Sequence, residues 1–209
     1  RNVAVGRGAL EQDVLGSNTV AIGQGTLNAQ NFTTATDVYN TAVGYQAGVA
    51  VTVGESNVLI GALAGDALTD SDRNTALGMG ALTSDTRGAY STALGYGTLA
   101  NQNFTTATNS YNTGVGYNAG TAITTGIDNT FIGALAGDGT DDGTENVAVG
   151  KSALSANCGD NNTAVGKDAG EAITGSDNTV IGMSSGKAIT SGSKNVILGA
   201  YNGNQNSVD

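Results

Sequence analysis

The feature that most constrains this chain is a glycine that returns at nearly constant spacing from one end to the other. Gly6, Gly23, Gly44, Gly61, Gly78, Gly95, Gly116, Gly133, Gly150, Gly166, Gly182 and Gly199 are separated by 17, 21, 17, 17, 17, 21, 17, 17, 16, 16 and 17 residues. Val, Ile or Leu always precedes this anchor glycine. Asn stands four places before it in ten copies, with Thr19 and Ser91 the exceptions. A short fixed period across a whole chain means one unit stacked on itself, each unit touching mainly its neighbours. Residues 1–209 therefore read as a single repeat domain. Because they open and close in mid-repeat, they read as a fragment of a longer fibrous protein.

The residues before each anchor are strand-forming. Asn40-Thr-Ala-Val-Gly44, Asn146-Val-Ala-Val-Gly150 and Asn162-Thr-Ala-Val-Gly166 alternate branched and small side chains, which suit a pleated surface and resist helix formation. A 17-residue unit is too short for a helix, a strand and two loops. It suits one turn of a parallel β-solenoid. The fold expected is all-β: a parallel β-solenoid, or β-roll, of about twelve coils of 16–21 residues, a rod roughly 55–60 Å long at the usual strand spacing. A second short strand is expected at residues 50–52, 67–69, 122–124, 172–174 and 188–190, so that two sheets face each other. The repeated asparagines are placed to form an amide ladder along the rod.

A longer period is nested in the short one. The coils anchored at Gly23, Gly44, Gly61 and Gly78 recur 72 residues later at Gly95, Gly116, Gly133 and Gly150. The segment Gln30-Asn-Phe-Thr-Thr-Ala-Thr36 returns as Gln102-Asn-Phe-Thr-Thr-Ala-Thr108 and accounts for both 21-residue steps. Each is a four-residue expansion expected to bulge from the rod.

Alternation of side chains along a strand separates two faces. The positions one and three before the anchor are aliphatic, and Thr or Val, and are expected to face the core. The position two before is then expected outside, and it is never polar: Ala4, Ala21, Ala42, Leu59, Ala76, Ala93, Gly114, Phe131, Ala148, Ala164, Val180 and Ile197. An apolar outer stripe of twelve rungs exceeds what monomers usually leave wet. These residues are the expected interface of an oligomer of identical chains around an axis parallel to the rod.

The unit Asn40-Thr-Ala-Val-Gly-Tyr-Gln-Ala-Gly48 resembles repeats in bacteriophage long tail fibres. The copy Asn18-Thr-Val-Ala-Ile-Gly23 resembles the repeats in the heads of trimeric autotransporter adhesins. The resemblance spans essentially the whole chain. It implies a parallel β-roll assembled as a homotrimer, attached to a cell surface, with no catalysis in the repeats. It places the chain in a virion tail fibre or at the extracellular cell surface. Its partners would be sister copies and a host cell-surface glycan or receptor. The coils here are longer than those of adhesin heads, which favours the fibre.

Composition excludes several chemistries. With no histidine, Ser-His-Asp and Cys-His arrangements and histidine-ligated zinc are ruled out. The single Cys158 can form no internal disulfide. A net charge of −10 opposes nucleic acid, and no apolar run is long enough for membrane insertion. No enzyme activity and no resident cofactor are expected. The densest acidic segment offers Asp138, Asp141, Asp142 and Glu145 as candidate calcium ligands, because several carboxylates in a flexible turn suit a hard cation. Phe32, Tyr39, Phe104 and Tyr111 flank the two bulges. They either contact a glycan or receptor or plug the expanded turns.

The function these features point to is a structural and adhesive fibre segment. It extends a receptor-binding end and offers repeated weak contacts that sum by multivalency. Two other classes are weighed beside it. An ice-binding β-solenoid would use the threonine column, which this face assignment buries. A polysaccharide-degrading tailspike would use paired acids.

Overall fold

A computed structural model describes residues 1–201. Its described residues contain no helix. Twelve three-residue strands, from Val3–Val5 through Val196–Leu198, pair in strict chain order into one parallel sheet. Each strand ends at an anchor glycine. Residues at equivalent places lie directly above one another: Ala42 pairs with Leu59, Leu59 with Ala76, and Gly114 with Phe131. The chain is a β-solenoid of twelve coils, as the period predicts.

The second strand per coil does not form. Residues 50–52 and their equivalents lie at the end of a turn. In every complete coil the second and fourth residues after the anchor both have φ near +50° to +70°, as Gln46 and Gly48 do, or Gly97 and Leu99. Two left-handed residues so close together curl the chain into the turn that runs up to those residues. The only other strands among the described residues are two short pairs, Gly16–Ser17 with Thr36–Asp37 and Gly88–Ala89 with Thr108–Asn109. Each pair joins a 21-residue coil to the 17-residue coil before it. Stacking continues through the turns by hydrogen bonds between coils: Gly48 N–H donates to the Ala64 carbonyl (3.0 Å) and Thr52 N–H to that of Thr69 (2.8 Å).

The face assignment expected from the strand pattern is reversed. Ala21, Ala42, Leu59, Ala76, Ala93, Phe131, Ala148 and Ala164 are completely buried within the single chain, Val180 is 1% exposed and Gly114 is buried. Only Ala4 and Ile197, in the terminal coils, are exposed or half-buried. This column is the core and cannot be an interface between chains. The Thr/Val and Val/Ile/Leu columns look outward, with Ile22 38%, Leu77 47% and Ile132 40% exposed.

Volume explains the inversion. The coil interior is narrow and is filled from three sides. One is the column two before the anchor. Another is a column of small residues three after it, including Ala47, Ala64 and Ala136. The third supplies one large aliphatic side chain, from either the fourth or the seventh position after the anchor, except in the coil anchored at Gly133, where these are Gly137 and Thr140 and the Phe131 ring takes the space. Where the fourth position is Leu, as at Leu27, Leu82, Leu99 and Leu154, the position two before the anchor is Ala. Where the fourth is Gly, that position can be large. Leu59, Phe131 and Val180 each accompany such a glycine, and a Cβ on Gly65, Gly137 or Gly186 would fall within 3 Å of the large side chain in its own coil. Two positions six residues apart thus share one volume, as close-packed interiors require.

Candidate interaction surface

The asparagines four before the anchor close the coil at the corner where the strand begins. Asn40, Asn57, Asn74, Asn112, Asn129, Asn146, Asn162 and Asn178 are at most 1% exposed. Each side-chain carbonyl accepts the backbone N–H of the next residue in the column, an asparagine in every case but Asn74, whose partner is Ser91: Asn57 N–H donates to Asn40 Oδ1 (2.8 Å) and Asn129 N–H to Asn112 Oδ1 (2.9 Å). Most side-chain amides donate to a carbonyl of the next coil, as Asn57 Nδ2 does to Ser71 (2.8 Å). The ladder satisfies backbone groups that the turn would otherwise orphan.

The ladder breaks twice, at Thr19 and Ser91, and a second device fills both gaps. Gln102 is fully buried. Its Nε2 donates to Asp85 Oδ2 (2.6 Å) and Ser91 Oγ (2.9 Å), while its Oε1 accepts Asn112 Nδ2 (2.9 Å). Asp85 Oδ1 accepts the N–H groups of Gly88 (3.0 Å) and Phe104 (3.1 Å). Gln30 repeats the arrangement with Asp13 (2.9 Å), Thr19 (3.4 Å) and Asn40 (3.0 Å). These junctions join each 21-residue coil to the coil below it. Sequence reasoning missed them. The available signal was an Asp and then a Gln at the seventh position after the anchor, where other coils carry Val51, Leu68, Ile123 or Ile173.

Burial raises the pKa of the Asp85 carboxyl, against the lowering effect of its hydrogen bonds with Gln102, Phe104 and Gly88. The folded chain therefore holds this proton at a pH where the unfolded chain has released it. The stabilising contribution is fully present below the unfolded value of 3.8 and is lost as pH rises through the higher folded value. The difference in thermal midpoint between Asp85→Asn and the parent is expected to shift in favour of the variant across that interval and to be flat outside it. Melting curves taken in steps from pH 3 to pH 7 measure this, whatever constant offset the amide adds.

The bulge aromatics divide between inside and outside. Phe32 and Phe104 are 5% and 6% exposed. They plug the expanded turns and are not available as receptor contacts, which corrects that part of the expectation. Tyr39 and Tyr111 remain more than half exposed. Tyr111 packs on Tyr90 with ring centroids 5.2 Å apart, and Arg73 lies 5.4 Å over the Tyr90 ring. On the other edge of the strand column Tyr96 and Tyr117 stack at 5.6 Å beside a groove of about 480 Å³.

The acidic segment gathers no metal site. Among the described residues no group of three potential ligands converges. Asp138 is half-buried, and burial raises the pKa of its carboxyl. Asp141 takes the Thr124 hydroxyl (2.6 Å), and Asp142 and Glu145 point to solvent. Cys158 is buried with its sulfur 3.2 Å from the Thr140 hydroxyl.

The largest continuous feature is the outward face of the twelve-stranded sheet. Two columns run its length, one of Thr or Val and one of Val, Ile or Leu, and no strand position is charged. No family model, curated protein or solved structure matches this chain.

Proposed function

We propose that this chain is a structural segment of a homotrimeric surface fibre, in which the outward face of the twelve-stranded sheet packs against sister copies. The observation that carries this reading is the uncharged, two-column face, with Leu77, Ile132 and Ile181 each about two-fifths or more exposed in the single chain. A surface of that length and polarity calls for a partner. The resemblance of the Asn-Thr-Ala-Val-Gly units to tail-fibre and adhesin repeats supplies the trimeric stoichiometry. The fibre's work is mechanical: it holds a receptor-binding end away from a particle or cell and presents repeated contacts to a host-surface glycan or receptor.

Light scattering is expected to return the mass of three chains, and negative-stain microscopy a slender rod. The double variant Leu77→Asp, Ile132→Asp is expected to fall to monomers while keeping its β circular-dichroism spectrum, because both side chains face away from the coil interior. Burying an unpaired carboxylate at each site costs about 3 kcal/mol or more, at least a hundredfold in association. A parent chain that is monomeric at every concentration sinks the proposal.

One observation favours a second reading. Thr41, Thr75, Thr92, Thr113, Thr130, Thr163 and Thr179 lie on the outward side, contrary to the sequence expectation, and an exposed threonine column is what an ice-binding solenoid needs. Val interrupts the column at five rungs, and the neighbouring column mixes Val, Ile and Leu of unequal size. Such a surface suits interdigitated packing better than a flat lattice. Thermal hysteresis from a monomeric chain would reverse the preference.

A further inference from the structure

Two grooves open at the same place in the repeat, and we infer that they are paired subsites for one uncharged polysaccharide lying along the rod. The first, of about 480 Å³, is lined by Met79, Gly80, Thr83, Tyr96, Tyr117 and Asn118 among others. The second, of about 330 Å³, is lined by Arg7, Glu11, Gln24, Asn28 and Gln46 with Gly8 and Gly25 at its floor. Both volumes fall within the range of small-ligand sites. Each of these residues stands one, two or five places after its anchor. The grooves are thus two copies of one feature, 72 residues and four coils apart, or about 19 Å along the rod.

Glycine opens them. The second residue after the anchor is left-handed in every complete coil, and Gln46, Leu63, Asn118 and Leu135 hold that conformation with side chains in place. Backbone conformation alone therefore does not demand glycine there. Glycine stands there in four coils, at Gly8, Gly25, Gly80 and Gly97, the same two coils in each copy of the 72-residue unit. The missing side chains bare the floor: a Cβ on Gly80 would meet nothing within 4 Å. An amide side chain from the next coil, Gln46 or Asn118, lies against the second glycine of each pair.

The walls point to the ligand. Tyr96 and Tyr117 are half exposed and stack within 10° of parallel. Tyr117 covers one face of Tyr96, and the other face is turned toward the coil of Met79 and Gly80. The face of a tyrosine ring is electronegative, which suits the weakly positive C–H groups on one side of a pyranose. The Asn118 amide and the hydroxyls of Thr83, Thr121 and the tyrosines can meet sugar hydroxyls as donors or acceptors. The Thr83 hydroxyl is oriented by donating to Asp66 (2.6 Å). No acid or base lines this groove, and the chain's net charge of −10 repels acidic polymers. The second groove is polar, and its single Arg7 and Glu11 balance each other. Asn28 Nδ2 donates to Glu11 Oε2 (2.8 Å) and to the Gly8 carbonyl (3.0 Å), fixing that wall. A neutral chain of sugars that spans both grooves gains from holding two points at once. The inference deepens the fibre proposal and rests on it only in taking the saccharide to belong to a surface the rod lies against.

Calorimetric titration with neutral hexasaccharides of gluco, manno and galacto configuration tests this, with polygalacturonate as the acidic counterpart. At least one neutral hexasaccharide is expected to bind saturably and more tightly than the acidic polymer. Tyr96→Ala is expected to weaken it at least tenfold. Gly80→Leu, which places there the residue that Leu63 already supplies one coil earlier, is expected to do the same with an unchanged circular-dichroism spectrum. Tyr39→Ala, outside both grooves, is expected to change nothing. The longer polymer of the same sugar is expected to bind more tightly than the hexasaccharide, and Gln24→Ala with Gln46→Ala to remove that gain. Absence of neutral binding, preference for the acidic polymer, or binding that survives both Tyr96→Ala and Gly80→Leu overturns the proposal. A polymer gain that survives the double amide variant overturns the second subsite. Light scattering on the same samples reads the fibre proposal separately: a monomer that binds sugar keeps the grooves and removes the trimer, and a trimer that binds none does the reverse.

Discussion

Phe131→Ala is expected to lower the unfolding free energy by about 3–5 kcal/mol, the range for removing a fully enclosed aromatic ring. Phe131 is the largest fully buried side chain among the described residues. It occupies a column otherwise dominated by alanine, between Gly114 and Ala148 in the register of the sheet. Its ring fits because two neighbours lack side chains: a Cβ at Gly120 would lie 2.6 Å from one ring carbon, and one at Gly137 within 2.7 Å of the nearest three. The surrounding coils are pinned by backbone bonds on both sides, so the site has little freedom to collapse and the upper half of the range is expected. Chemical denaturation with paired amide-exchange measurements checks this, with protection lost first in the coils anchored at Gly116, Gly133 and Gly150. A loss below about 1 kcal/mol would mean that the narrow interior is not close-packed there.

The anchor glycines carry the second large effect. At Gly116 φ is +138°, and an added Cβ would sit 2.6 Å from the Gly133 carbonyl oxygen. The same obstruction recurs down the column because each anchor lies over the next. Gly116→Ala is expected to cost about 2–6 kcal/mol: backbone strain of about 1–3 and about 1–3 for forcing two coils apart. Gly80→Ala is the matched control. Gly80 has φ +66° with open space around a Cβ, so only the left-handed penalty of about 1 kcal/mol applies. Urea titration of the two variants side by side reads the difference. Equal losses would show that crowding between coils plays no part.

Much of this architecture was legible in the sequence, for reasons specific to its residues. The anchor glycine, the branched residues before it and the constant step specify a parallel strand per coil, because nothing else fits in 17 residues. The asparagine column announced its ladder. The repeated Gln-Asn-Phe segments marked the two expanded coils. The inside and outside of the strand were not legible from hydrophobicity, because both faces are apolar: Ala42 and Val43 differ in size far more than in character. Size was the better guide. The trade between Leu59 and Gly65, and between Ala93 and Leu99, could have been found by asking which columns compensate each other's volume. The missing second strand was harder to foresee. Gln46 and Leu63 adopt left-handed backbone without being glycine, and nothing in their chemistry signals it. The candidate surface was only half visible: of the four rings flanking the bulges, Tyr39 and Tyr111 stand outside, whereas Phe32 and Phe104 turn inward to seal the bulges.

The strictly serial pairing of coils has a consequence for load. Each winding is held only by the one before and the one after, so a chain drawn out along its axis yields from an end, one winding at a time. Each release of 17 residues frees roughly 55 Å of slack, and each 21-residue winding frees roughly 70 Å. A filament built this way lengthens in measured increments under tension instead of snapping.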